Sequence, residues 1–150
     1  MENNGSTYKI LWEMISHYWG RRLALDWWWV SANQFDKKGV SVECSFFHTT
    51  LWGTAIKSGF AYLHLRQQDK KEFVMAPFGL ASVKGTPENF QLEIKRIGKE
   101  SVTLTCSGSD YGHFGNGIIN TLKGNLKIFL GKELIAQAFG TAALEHRAAK

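Results

Sequence analysis

Two prolines and two cysteines are all that a chain of 150 residues contains. Cys44 and Cys106 lie in alternating apolar stretches, with no CxxC pair and no histidine at metal-ligand spacing. That excludes a disulfide framework and a zinc ribbon, and it predicts two buried free thiols. No run approaches the roughly 20 consecutive apolar residues that a spanning helix needs. The opening Met1-Glu2-Asn3-Asn4-Gly5 has neither a basic start nor an apolar run, so no signal peptide is expected and the expected compartment is cytoplasmic. Charge of one sign is scarce too. The net charge is only +5, and the densest basic pair, Lys70-Lys71, sits between Asp69 and Glu72. A nucleic-acid binder needs a basic stripe with stacking aromatics on the same face, so no nucleic-acid partner is expected.

Aromatic residues and glycine are plentiful. Six Trp, ten Phe and four Tyr accompany fifteen Gly, and 44% of the chain is hydrophobic. Aromatic side chains fit pleated surfaces, and glycine marks turns and bulges. The expected class is therefore all-β, in one domain of ordinary size. Residues Thr7 to Tyr18 depart from this pattern. Tyr8, Leu11, Trp12, Ile15 and Tyr18 recur at helical spacing and predict one short N-terminal helix, packed over a barrel end or acting as a lid.

From Arg22 onward the sequence reads as strands and turns. Strands are predicted over Leu23–Phe35, Val40–Thr49, Lys57–Gln67, Lys71–Ala76, Phe78–Lys84, Phe90–Lys95, Ser101–Ser107, Ile119–Leu130 and Glu133–Glu145. The glycine-rich stretch Gly108–Gly117 is predicted as a loop or a set of bulges, and Ala142–Lys150 as a fraying end or short helix. Eight or nine sequential strands with short connections favour an antiparallel up-and-down β-barrel, because closure removes exposed edges. Residues 1–20 would cap it and residues 21–146 would form it. Such a barrel is wide enough to hold one small ligand.

The run Trp27-Trp28-Trp29 puts indoles on both faces of one strand, since neighbouring side chains point oppositely. Either a face forms an aromatic wall for an apolar ligand or a developing cation, or the run is core packing with an outer cover. Asp26 and Glu43 are carboxylates in otherwise apolar strands. Buried, such a group keeps its proton to higher pH and can donate it; otherwise it points to solvent. Tyr62 and His64 alternate onto one face as a candidate interior polar pair, or as satisfied structural groups. His48-Thr49-Thr50 matches half of a two-histidine phosphoesterase pattern, but no second H-x-[ST] occurs. His48, His64, His113 and His146 form no close metal motif, and no metal or cofactor is expected. Asp110-Tyr111-Gly112-His113 lies in the glycine-rich loop and suits a mouth gate or a plain bulge. The absence of GxxxxGK[ST] and of a GxSxG elbow argues against nucleotide hydrolysis and covalent catalysis.

Two stretches carry a family resemblance. His17-Tyr18-Trp19-Gly20 followed by Leu25-Asp26-Trp27-Trp28-Trp29-Val30-Ser31-Ala32-Asn33-Gln34-Phe35 resembles a segment of the tocopherol cyclases. It is also similar to the EWWY signature of the related carotenoid hydratase and AttH-like proteins, with Asp26 in place of the Glu. Gly124–Phe129 and Ala136–Glu145 resemble the closing strands of the same proteins, and Tyr62 and Glu72-Phe73 fall near their central hairpins. These relatives are built of two lipocalin-like halves, and this chain is similar to the C-terminal half. The resemblance implies a lipocalin-like barrel around a greasy substrate. It leaves open whether the chain acts alone or as a homodimer.

The function expected from these readings is a cofactor-independent cyclase or isomerase. It would hold a hydrophobic isoprenoid- or polyketide-derived substrate in a near-cyclised shape and promote proton-assisted or pericyclic ring closure. Trp27, Trp29, Phe47, Trp52 and Tyr62 would shape the cavity. Glu43 or Asp26, with His64, would supply the proton or a polarising hydrogen bond. The alternative is a non-catalytic carrier with the same barrel.

Overall fold

The structure, a computed structural model, describes residues 26–51, 53–65, 70–76, 80–114 and 117–148. The expected N-terminal helix and Trp52 lie outside the described residues. The described residues form ten strands: β1 (Asp26–Ala32), β2 (Val40–Leu51), β3 (Thr54–Leu65), β4 (Lys70–Ala76), β5 (Ala81–Thr86), β6 (Asn89–Arg96), β7 (Lys99–Ser107), β8 (Gly112–Phe114), β9 (Ile118–Leu130) and β10 (Glu133–Arg147). All belong to one sheet in the order β4-β3-β2-β1-β10-β9-β7-β6-β5, with β8 pairing beside β9. Every pairing is antiparallel.

The pairings make β4 and β5 run in the same direction. β4 lies along β3 and β5 lies along β6, so the two act as halves of one interrupted strand. The chain thereby forms a nearly closed, up-and-down barrel of eight strands, as the sequence predicts. At the seam, Gly59 on β3 lies against β5: a Cβ there would stand 3.0 Å from the Ala81 methyl and 2.9 Å from the Ser45 carbonyl oxygen. Only a residue without a side chain allows that approach.

Period-2 alternation sorts the wall into two faces. Trp28, Val30 and Ala32 on β1 pair with Phe46, Cys44 and Val42 on β2, and all six are buried. Phe90, Leu92 and Ile94 on β6, with Val102, Leu104 and Cys106 on β7 and Leu126 and Ile128 on β9, complete the inner face. Trp28 reaches across the barrel to Phe90, with ring centroids 4.7 Å apart. The contact joins strands that are not sheet neighbours, which identifies this face as the interior.

Two local expectations are corrected. Gly108–Gly117 is not all loop, because Gly112–Phe114 forms β8 on the free edge of β9. Ala142–Arg147 is neither frayed nor helical. It is the C-terminal part of β10, held on one side by β9 and on the other by β1, with Trp28 opposite His146. Register shifts around Ala138 and Ala142 absorb the extra residues of that long strand. Among the described residues no helix is long and apolar enough to cross a membrane.

Candidate functional site

Asp26 opens β1 and shares the inner face with Trp28 two residues on. Its register partner on β2 is His48, while His146 lies on β10 beside it. The carboxylate bridges the two imidazoles: Oδ2 is 3.1 Å from His48 Nδ1, and Oδ1 is 3.1 Å from His146 Nε2. All three side chains are partly buried, with Asp26 18% and His146 15% exposed. The His146 ring stacks on Trp28, centroids 3.9 Å apart, and His48 meets the Phe46 ring edge-on at 5.1 Å. A polar trio therefore sits at one end of an apolar interior, walled by two aromatics.

An ionised carboxylate only accepts hydrogen bonds, so each imidazole nitrogen facing Asp26 carries the proton. In the neutral form of each ring, that leaves the lone pair on the nitrogen turned away from Asp26. His48 Nε2, on the far side of the ring from Asp26, is buried and, among the described residues, has no hydrogen-bond partner. A lone pair in that setting is a proton acceptor, and the imidazolium formed would be paired at once with Asp26. The Pro87–Glu88 turn and the loop before β8 flank the same end. Tyr111 donates its hydroxyl to the Pro87 carbonyl oxygen, tying the two together. Burial pushes its phenol up to about 12, helped by the nearby Cys106 and Glu88, so it stays neutral at physiological pH. His113 on β8 is exposed and pairs with Ile119, the β9 partner of His146.

Four other residues expected at the site, Trp27, Trp29, Phe47 and Glu43, occupy a different place. Trp27, Trp29 and Phe47 do not line the interior; strand alternation turns them to the outer face, and Trp28 is the indole inside. Both outer indoles are anchored by carboxylates. Trp27 Nε1 donates to Glu145 Oε1 at 2.8 Å, and Trp29 Nε1 donates to Glu43 Oε1 at 3.1 Å. Arg147 lies over the Trp27 ring at 4.9 Å, a cation–π contact. Glu43 is thus separated from Asp26 by the barrel wall. It is nevertheless buried, and desolvation raises its carboxyl above the usual range, partly offset by the Trp29 hydrogen bond. The backbones of Tyr62 and His64 pair with Glu43 and Ser41. Their side chains, like all of Trp52, lie outside the described residues.

His48 and His146 are the members that sequence reasoning missed. Their separations from Asp26, 22 and 120 residues, form no local motif, and only pairing register brings them together. The one available signal was that Phe46 and His48 continue the Val40, Val42, Cys44 face, whose apolar character marks it as inward. Cys44 and Cys106 are buried free thiols, as expected. Among the described residues no three His, Cys, Asp or Glu side chains form a group able to hold a metal ion. Comparison with known proteins returned no matching family model, no similar curated protein and no similar solved structure.

Proposed function

We propose that this barrel is a cytoplasmic, cofactor-independent cyclase or isomerase that acts on a small hydrophobic molecule, isoprenoid- or polyketide-derived, at the Asp26 end of its interior. One observation carries the reading: the His48–Asp26–His146 trio, with a buried imidazole nitrogen that has no partner among the described residues, on a largely apolar inner face. His48 Nε2 takes a proton from the substrate, and the imidazolium is held by the Asp26 carboxylate. The imidazolium exchanges that proton with water and gives one back to another substrate atom as the new bond or double bond is set. Trp28 and Phe46 supply flat apolar surface against which the substrate packs. The resemblance to lipocalin-like cyclases, strongest around Asp26, agrees with this chemistry.

Native mass spectrometry of freshly purified protein tests the binding half, and the compound extracted from it tests the chemistry. Wild-type protein is expected to retain a lipophilic molecule and to interconvert it with an isomer. Asp26→Asn, which leaves the tautomers unfixed, is expected to bind it and lose at least 100-fold in turnover. Binding with no interconversion by wild-type protein would assign the barrel to carriers instead.

A further inference from the structure

On the outside of the barrel, away from the Asp26 trio, β5, β6, β7, β9 and β10 form an open groove of about 490 Å³. Its walls follow from register. Lys84 pairs with Gln91, Gln91 with Thr105, and Thr105 with Lys127, which places one row of polar side chains across four strands on the face opposite the core. The adjoining row runs from Asn89 to Ser107 to Asn125. Asn125 is fixed at both ends of its amide: Nδ2 donates to Ser107 Oγ at 3.3 Å, and Oδ1 accepts from the Gly140 amide at 2.9 Å. Phe139 closes the rim with its ring 63% exposed. Among the described residues no carboxylate lines the groove, whereas two lysines do.

These features describe a ligand. Amide and hydroxyl groups in rows match a molecule that offers many hydroxyls, and one exposed ring supplies a flat apolar patch for the face of a sugar. The two lysines sit three strand spacings apart, on the order of 14 Å, so a single small anion cannot meet both backbone positions. We propose that this groove binds an acidic oligosaccharide, laid across the strands with its carboxylates or sulfates toward Lys84 and Lys127. A single-stranded nucleic acid is the poorer match, since successive bases need several stacking rings and the groove offers one.

A hexamer of a linear polyuronate is the probe, titrated calorimetrically into the full chain at low and moderate salt. Wild-type protein is expected to bind it, and its carboxyl-reduced neutral counterpart at least tenfold more weakly. Lys84→Gln with Lys127→Gln is expected to weaken the uronate tenfold or more, and Phe139→Ser to weaken both sugars. Lys99→Gln, on the exposed β6–β7 turn, is the control and is expected to leave affinity unchanged. All four positions are exposed, so the variants are expected to keep the wild-type circular dichroism spectrum. Absence of uronate binding overturns the proposal. So does an equal loss in the Lys99 variant, which would mean unspecific charge attraction, or tighter binding of a twelve-nucleotide oligothymidylate than of the uronate. None of these outcomes touches the interior site, whose turnover is measured separately.

Discussion

Trp28 and His146 face each other across the β1–β10 pair, with ring centroids 3.9 Å apart and planes inclined by 31°. The same Trp28 touches Phe90 on the far wall. One indole therefore both fills the barrel centre and supports an imidazole of the polar trio. Trp28→Ala is expected to cost about 3–5 kcal/mol of stability, the range for emptying a large aromatic site. Trp27→Ala, at a half-buried outer position, should cost much less. Urea unfolding of the two variants checks the order, and equal losses would mean that the inner and outer faces are assigned wrongly.

Glu43 makes a prediction about pH. Burial raises its carboxyl above the ordinary 4.5, so the folded protein holds that proton to a higher pH than the unfolded chain does. Stability contributed by this group is therefore lost as pH rises from 4.5 through the raised value. Glu43→Gln stays neutral and keeps an oxygen to accept from Trp29. Its melting temperature relative to wild type is expected to climb as pH rises above 4.5 and to level off once the wild-type carboxyl has ionised. A difference that is flat over that range would show that the carboxyl ionises normally.

The thiols should be inert. Burial pushes Cys44 up to about 12, with the neighbouring Glu43 adding to the effect, and Cys106 is raised well above its usual value by the same cause. Thiolate is the reactive form. A disulfide reagent near neutral pH is expected to leave both cysteines unmodified in the folded protein and to modify both after denaturation. Rapid labelling of either one in the native state would contradict the closed interior.

Closure of the barrel depends on Gly59. Since a Cβ at that position would stand 2.9 Å from Ser45 O and 3.0 Å from Ala81 Cβ, Gly59→Val must push β3 away from β5. The expected cost is about 1–3 kcal/mol, as for other overpacked sites. Hydrogen exchange should localise the damage to β3 and β5. Faster exchange spread evenly over all strands would argue against a seam at this place.

The architecture was largely legible because alternation is a local property. Phe90, Leu92 and Ile94 against Gln91, Glu93 and Lys95 announce a half-buried strand without any neighbour, and most strand bounds fall within a few residues of those predicted. The site was legible only in part. Asp26 stood out as a carboxylate beside three indoles, but Trp27-Trp28-Trp29 looks equally greasy on both faces, so the run could not say which side was inside. Val40, Val42 and Cys44 carry that information one strand away, and it becomes decisive only once Trp28 is paired with Phe46. His146 shows the limit most clearly, because its meeting with Asp26 is made by closure of the barrel and by no spacing in the sequence.

Deuterium transfer tests the central claim, proton movement by the Asp26 trio, most directly. The compound extracted from freshly purified protein is incubated with fresh enzyme in D2O, and its label is read by mass spectrometry. The account predicts incorporation at the carbon that accepts the returned proton with wild-type protein, and a rate at least 100-fold lower with Asp26→Asn. No incorporation by wild-type protein, or equal incorporation by both, would contradict it.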